Sequence, residues 1–425
     1  MRLVFHGGAR EVGRSCVEIT TGTKRLLLDC GLKLTPHGTE YPIGFDKVDD
    51  IDAVFISHAH LDHTGALPLL DHRGMDCPIF MTKASKQLTR LLLKDAFKIG
   101  RINHQHLGYA AADIRKVLSC IRRVVMDTKG GFNGIKFKYF DAGHIPGSAA
   151  IFLDVEGTTL LYTGDINTID TKLHKAAETD FPEIDIMICE STYGDRDHPP
   201  RDKTEQDFLQ TIQDTIERGG SVIIPVFALG RSQEILQLLS TRKFKVPVYF
   251  DGMSVEATNI TLDNPDAIAD PNALKAALKK VRLVKGNGDR MEAVKTQAII
   301  VTTSGMLTGG PVMHYLKYFH KNPDNAVLLT GYQGEHTNGR LLLEKKQVYI
   351  DGWRTGVKCR IEQFNFSAHA GMSQLKSLVR KVKPKRIFFM HGEYTGLANM
   401  QEWAEALGMD AHVPRLGESI AIKKR

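Results

Sequence analysis

Apolar positions along this chain come first in short runs separated by glycines. Residues 2–5, 16–20, 25–29 and 53–57 have the composition of buried strands, and Gly7-Gly8 and Gly13 punctuate the early ones. A strand at 78–82 leads into a helical pattern over about 83–98, and a second helix is predicted over 110–121. Strands follow at 136–142, 151–155, 160–163 and 184–189. Residues 198–201 (His-Pro-Pro-Arg) are polar and proline-bearing and read as a linker. Beyond them the pattern alternates. An amphipathic helix over 202–218 precedes a strand at 221–227, a helix at 231–242 and a strand at 246–250, with further strands at 298–303 and 326–330. Strand and helix in alternation predict an α/β unit with a parallel sheet, from about 195 to 358. A basic helix at 373–382 and a strand at 386–390 then restore the earlier character. The chain is therefore expected to hold a first domain made of 1–194 and 359–425, with the α/β unit inserted in it. No fixed-period repeat or low-complexity tract is visible.

Composition narrows the class. With 425 residues, 42% hydrophobic and 25% charged, the chain can build two or three globular domains. Lys and Arg exceed Asp and Glu by 56 − 49 = 7. Lys376, Arg380, Lys381, Lys383, Lys385, Arg386, Lys423, Lys424 and Arg425 make the C-terminal end basic, which suits a phosphate-rich partner or a solvated helix face. Six cysteines without a C-x-x-C pair predict free thiols in a reducing compartment. No secretory leader and no bilayer-length apolar run is present, so a soluble, cytoplasmic protein without a membrane association is expected.

The candidate chemistry sits at strand ends. Ser57-His58-Ala59-His60-Leu61-Asp62-His63 follows a strand and packs four potential metal ligands into six positions. His58 and His60 alternate in an extended loop and can serve one cation, while Asp62 and His63 can reach a second. His144 and Asp165, each at a strand end beside a glycine, can complete the first site and bridge the two. Asp29 ends another strand and can orient a ligand from behind or simply close a turn. Glu190, His369 and His391 occupy similar strand-terminal or loop positions nearer the C-terminus.

The set Asp29, His58-Ala-His60-Leu-Asp62-His63, His144 and Asp165 resembles the metallo-β-lactamase fold hydrolases. Glu190 in ESTYGDR, His369 in FSAHA and His391 in MHGE resemble motifs A, B and C of the β-CASP nucleases. With Gly305-Met306-Leu307 and Gly230-Arg231-Ser232-Gln233-Glu234, the chain is similar to the endonuclease subunit of the cleavage and polyadenylation specificity factor and its prokaryotic relatives. Nothing precedes the first strand, so the KH domains of the larger archaeal relatives are expected to be missing, as in the shorter archaeal homologues. RNase J-type relatives carry a C-terminal domain, which is not expected here because 425 residues are too few to hold it.

The resemblance implies an αββα sandwich with an inserted β-CASP domain and two zinc ions. His58, His60 and His144 would hold one, Asp62, His63 and His391 the other, and Asp165 would bridge them. It further implies hydrolysis of single-stranded RNA in a cleft between the domains, with Glu190 holding His369 as proton donor and products ending in 5′-phosphate and 3′-hydroxyl. Asp62 is counted with the catalytic residues as well. Arg231, Ser304, Gly305, Met306 and Arg340 are candidate substrate contacts; Ser304 and the glycines after it can form a phosphate-approaching loop or a plain strand-to-helix turn. Endonuclease and 5′-to-3′ exonuclease action both remain open, and so do other ester or thioester substrates and a non-catalytic scaffold. An edge strand at 416–422 could join two subunits, and the resemblance favours a homodimer.

Overall fold

A computed structural model of the chain describes residues 1–35, 38–45, 48, 50–105 and 107–422. The strands near the N-terminus are apolar on both sides because both sides are covered. In Arg25–Leu28, Leu26 and Leu28 face one core while Leu27 faces another, all fully buried. Strands of this kind form a seven-stranded sheet in the order Ser419–Ala421, Arg2–Gly7, Cys16–Thr20, Arg25–Leu28, Ala53–Phe55, Ile79–Thr82, Ile121–Val124. A second seven-stranded sheet runs Asp410–His412, Arg386–Met390, Ile186–Glu190, Thr158–Tyr162, Ala149–Val155, Ile135–Asp141, Gly130–Phe132. Leu3, Phe5, Val17 and Phe55 of the first sheet share a core with Tyr139, Ile151, Ile188 and Phe388 of the second. The outer faces carry helices: Leu67, Leu93 and Val117 cover the first sheet, and Leu375, Leu378, Leu397 and Met400 the second. These layers are an αββα sandwich, built from residues 1–170, 176–197 and 369–425.

The second unit comprises residues 171–175 and 198–368. Its sheet is parallel throughout, in the order Arg282–Leu283, Val248–Asp251, Ile299–Thr302, Val222–Pro225, Ala326–Leu329, Arg360–Gln363. Ile224 packs on one face with Phe208, Ile212 and Leu239, and Ile223 on the other with Val312, Tyr315 and Leu342. Helices on both faces make it a doubly wound α/β unit.

Several elements depart from the sequence pattern. Residues 359–368, expected in the C-terminal part of the first domain, lie in the second unit because Arg360–Gln363 pairs with Ala326–Leu329 and completes the parallel sheet. Residues 171–175 join the same unit: Leu173 packs on Ile268 and Leu274, and its carbonyl accepts from Ala269 N–H at 2.8 Å. The helix after the strand at Ile79–Thr82 runs Lys83–Ile102, four residues longer than its pattern predicts. Helices Ser254–Leu262 and Asn287–Lys295 have no counterpart in the sequence pattern, since their apolar residues trace no clear stripe.

The basic C-terminal cluster is largely engaged. Lys381 bonds Asp180 at 2.6 Å, Lys385 bonds Asp185 at 2.6 Å, and Arg386 bonds Asp410 at 2.7 Å, while Lys376 and Arg380 lie over the Trp403 ring. Lys423, Lys424 and Arg425 lie outside the described residues. All six cysteines are free thiols. Among the described residues no helix is long and apolar enough to cross a membrane. Ser419–Ala421, within the expected 416–422 strand, forms the edge of the first sheet against Arg2–Gly7.

Candidate metal centre

Each donor of the first unit stands where a strand gives way to a loop. His58 follows Ala53–Phe55, and the short helix Leu61–Thr64 carries Asp62 and His63. His144 follows Ile135–Asp141, Asp165 follows Thr158–Tyr162, and His391 follows Arg386–Met390. The parallel pairing of Glu190 with Met390 brings the ends of two strands side by side. Glycine permits the closest approach. A Cβ at Gly31 would stand 1.7 Å from the Asp62 carbonyl oxygen, so no larger residue fits behind the ligand loop.

The donors form two groups with one shared member. His58, His60, His144 and Asp165 offer ligand atoms within 4.8 Å of one another, and so do Asp62, His63 and His391. The Asp165 carboxylate faces both. Its Oδ2 is 3.5 Å from His58 Nε2 and 3.6 Å from His144 Nε2; its Oδ1 is 3.5 Å from His63 Nε2 and 3.1 Å from His391 Nδ1. Asp62 Oδ2 stands 3.4 Å from His391 Nε2 and 3.8 Å from His63 Nε2. Among the described residues neither buried His63 Nε2 nor buried Asp165 Oδ1 makes a well-aligned hydrogen bond, though they stand 3.5 Å apart, which leaves both free to meet a cation.

Electrostatics supports the same reading. Burial disfavours a charged ring at His63 and His391, yet Asp165 and Asp62 override it: His63 rises well above its ordinary value and His391 is pushed up to about 10. Burial and the surrounding imidazoles push His58 well down. Burial also opposes charge on Asp165, but His391, His63 and His58 hold its carboxyl well below the usual range. The buried Asp165 and the half-buried Asp62 thus call for positive charge, which divalent cations supply while displacing the ring protons. Imidazole nitrogens and carboxylate oxygens in these numbers are a donor set that fits zinc.

A layer behind the ligands sets their orientation. Fully buried Asp29 accepts at 2.7 Å from Ser57 N–H, from Ser57 Oγ, from the Tyr162 hydroxyl and from His63 Nδ1. Ser57 Oγ also lies 3.0 Å from His58 Nδ1. Ser57 and Tyr162 were not singled out from the sequence, although each adjoins a ligand-bearing loop.

Glu190 and His369 form a third group with Asp165. Glu190 Oε1 accepts from Ile166 N–H at 2.9 Å and from His369 Nδ1 at 3.0 Å, and Oε2 accepts from Thr192 N–H at 3.1 Å. The carboxylate is buried, and the His369 side chain keeps 20% of its surface exposed, 4.6 Å ring to ring from His144. Burial works against a charged His369, but Glu190 and Asp165 raise it.

The candidate substrate contacts all lie in the second unit. Arg231 is buried, its guanidinium bound to Glu234, which also takes Arg201. Ser304, Gly305 and Met306 form the loop after Ile299–Thr302, where Ser304 Oγ accepts from Thr308 N–H at 3.1 Å. Arg340 is exposed near the start of helix Asn338–Lys345 and pairs with Glu344 at 2.6 Å.

Residues 232–342 match the Beta-Casp domain, residues 354–414 the Zn-dependent metallo-hydrolase RNA specificity domain, and residues 11–192 the model of Anti-Pycsar protein Apyc1. The Probable RNase MJ4 of Methanocaldococcus jannaschii is 43% identical over 99% of this chain and 100% of its own length. RNase aCSPSF2 of Saccharolobus solfataricus is 35% identical over 98% of this chain and 84% of its own. The transcription termination factor FttA of M. jannaschii is 33% identical over 100% of this chain and 72% of its own. A crystal structure of a protein of unknown function from Enterococcus faecalis V583 shares the fold at a TM-score of 0.62 and 13% identity, covering 99% of both chains.

Proposed function

We propose, since the chain belongs to the β-CASP family of metallo-hydrolases, that it is a ribonuclease that uses two zinc ions to hydrolyse phosphodiester bonds of single-stranded RNA. The observation that carries this reading is the Asp165 carboxylate, with one oxygen toward His58 and His144 and the other toward His63 and His391. His58, His60 and His144 would hold one ion and Asp62, His63 and His391 the other, with Asp165 between them. When bound, such a pair activates water and offsets charge on both the attacking and the leaving oxygens of an in-line displacement at phosphorus.

The chain's own residues do the rest. Glu190 accepts a hydrogen bond from His369 Nδ1–H and keeps the ring protonated, so that Nε2–H can give its proton to the departing 3′ oxygen. Products then end in 5′-phosphate and 3′-hydroxyl. Asp29, through His63 directly and through Ser57 to His58, fixes the ligand rings. Pairing of two copies along the edge strand Ser419–Ala421 belongs to the same reading, and the mass in solution tests it.

The function is tested with one single-stranded RNA labelled separately at its 5′ and 3′ ends. Wild type is expected to cut it, and His369→Ala to keep zinc and RNA while turning over about 10²–10⁴-fold more slowly. Internal fragments mark endonuclease action, and mononucleotides released from the 5′ end mark exonuclease action. Zinc-loaded protein that cuts no RNA under either 5′-phosphorylation state refutes the proposal.

A further inference from the structure

The second unit exposes aromatic rings on a hairpin anchored in its core. Strands Gln347–Ile350 and Trp353–Gly356 form a hairpin closed by Asp351-Gly352, whose φ values of +50° and +81° suit the two-residue turn that matches strand twist. Val348 and Ile350 anchor it in the core, packed with Val312, Leu316 and Leu342. Both of its aromatic rings reach solvent: Tyr349 is 50% and Trp353 78% exposed. Tyr349 lies directly across from Arg354, so ring and guanidinium share one face; Trp353 lies across from Ile350 and stands on the other face, beside the turn. Single exposed aromatics are ordinary, but two on one tightly held hairpin beside an exposed arginine are not explained by packing.

Charge around the hairpin is one-sided. Residues 344–358 hold Lys345, Lys346, Arg354 and Lys358 against Glu344 and Asp351, a balance of 4 − 2 = +2. Both acids are already engaged, Glu344 with Arg340 and Asp351 with Lys317. The four cations form no ion pair among the described residues. The hairpin is also tied to the loop after Ile299–Thr302. The Asn338 side chain donates to the Leu307 carbonyl and to the Tyr349 carbonyl, both at 3.1 Å, and accepts from Tyr349 N–H at 2.8 Å. Gly339 N–H donates to the Met306 carbonyl at 3.0 Å.

We propose that this hairpin is a stacking platform for unpaired bases of an RNA chain that crosses its turn, with Tyr349 receiving a base on one face, Trp353 another on the opposite face, and Lys345, Lys346, Arg354 and Lys358 meeting the phosphates. Exposed rings interleaved with uncommitted cations are what sequence-tolerant binding of single strands requires, because every base has a π-face and every linkage a negative charge. The proposal rests on the ribonuclease reading for the identity of its ligand. It assigns that ligand a contact surface in the second unit.

The chain has two tryptophans, Trp353 and Trp403, so a full-length Trp403→Phe protein reports on the platform alone. With His369→Ala added to hold back cleavage, titration with an oligouridylate of about twelve nucleotides is expected to quench Trp353 emission to saturation. Tyr349→Ala with Trp353→Ala, followed by labelled RNA, is expected to weaken binding tenfold to several hundredfold. Tyr349→Phe with Trp353→Phe restores most of it, since a ring still stacks. Lys345→Ala with Lys346→Ala lowers the salt dependence and leaves the quench in place. Unchanged binding by the double alanine variant, or an equal quench by duplex RNA, overturns the platform and leaves the nuclease reading standing. Emission that changes with protein concentration without RNA assigns the face to a second copy and overturns it too. If wild type neither binds nor cuts RNA, both readings fall together.

Discussion

Asp29→Asn isolates the contribution of the layer behind the ligands. Asp29 has φ +57°, a conformation that Asn adopts as readily as Asp, so the backbone need not move. The side chain is fully buried and accepts four hydrogen bonds of 2.7 Å, from Ser57 N–H, Ser57 Oγ, Tyr162 and His63. An amide oxygen can keep about two of these; the amide nitrogen then faces donors. Two bonds to a charged acceptor at about 1.5–3 kcal/mol each set the loss of stability at about 3–6 kcal/mol, read from urea melts of the metal-free protein. Zinc affinity should fall about 10–100-fold, because His63 loses the acceptor that orients its ring. The loss is expected to be unequal. Asp29 touches His63 directly and His58 only through Ser57, so one equivalent should be stripped first by a competing chromophoric chelator. If Asp29→Asn binds two equivalents as tightly as wild type and melts at the same urea concentration, the role assigned to Asp29 is wrong.

The shared carboxylate and a remote buried pair give two further expectations. Asp165→Asn removes the donor common to both groups, so zinc content should fall below that of Asp62→Ala, which cuts one group only; elemental analysis after dialysis decides it, and a variant that still holds two equivalents argues against bridging. His6 is raised above its ordinary value because its 3.1 Å contact with Glu18 and the Ile43 carbonyl outweigh burial. A raised value means that the folded state favours the proton. The stabilisation is complete below the unfolded value of about 6.5 and is lost as pH rises through the folded one. Melting temperatures of wild type should therefore decline relative to His6→Gln from about pH 6.5 upward, and parallel curves would remove His6 from the account.

Legibility followed distance along the chain. The apolar runs determined the strands, since a strand buried on both faces must be apolar almost throughout, as in Ile186–Glu190 and Val222–Pro225. The cluster from His58 to His63 was readable because its ligands fall within one loop and one turn of helix. Helices without a stripe, such as Asn287–Lys295, left nothing periodic to read, and tertiary packing holds them. The destination of residues 359–368 depended on which sheet offered Arg360–Gln363 a free edge, a fact that no local pattern contains. The same holds for charge: the sequence counts Lys381, Lys385 and Arg231, but only the fold commits them to Asp180, Asp185 and Glu234. Glu190 and His369 are 179 positions apart and meet at 3.0 Å, as two residues a whole domain apart can only when the sheet order brings their strand end and loop together. Residue types and their local spacing were thus set by the sequence alone, while convergence, burial and pairing were decided by packing, because those depend on neighbours distant along the chain.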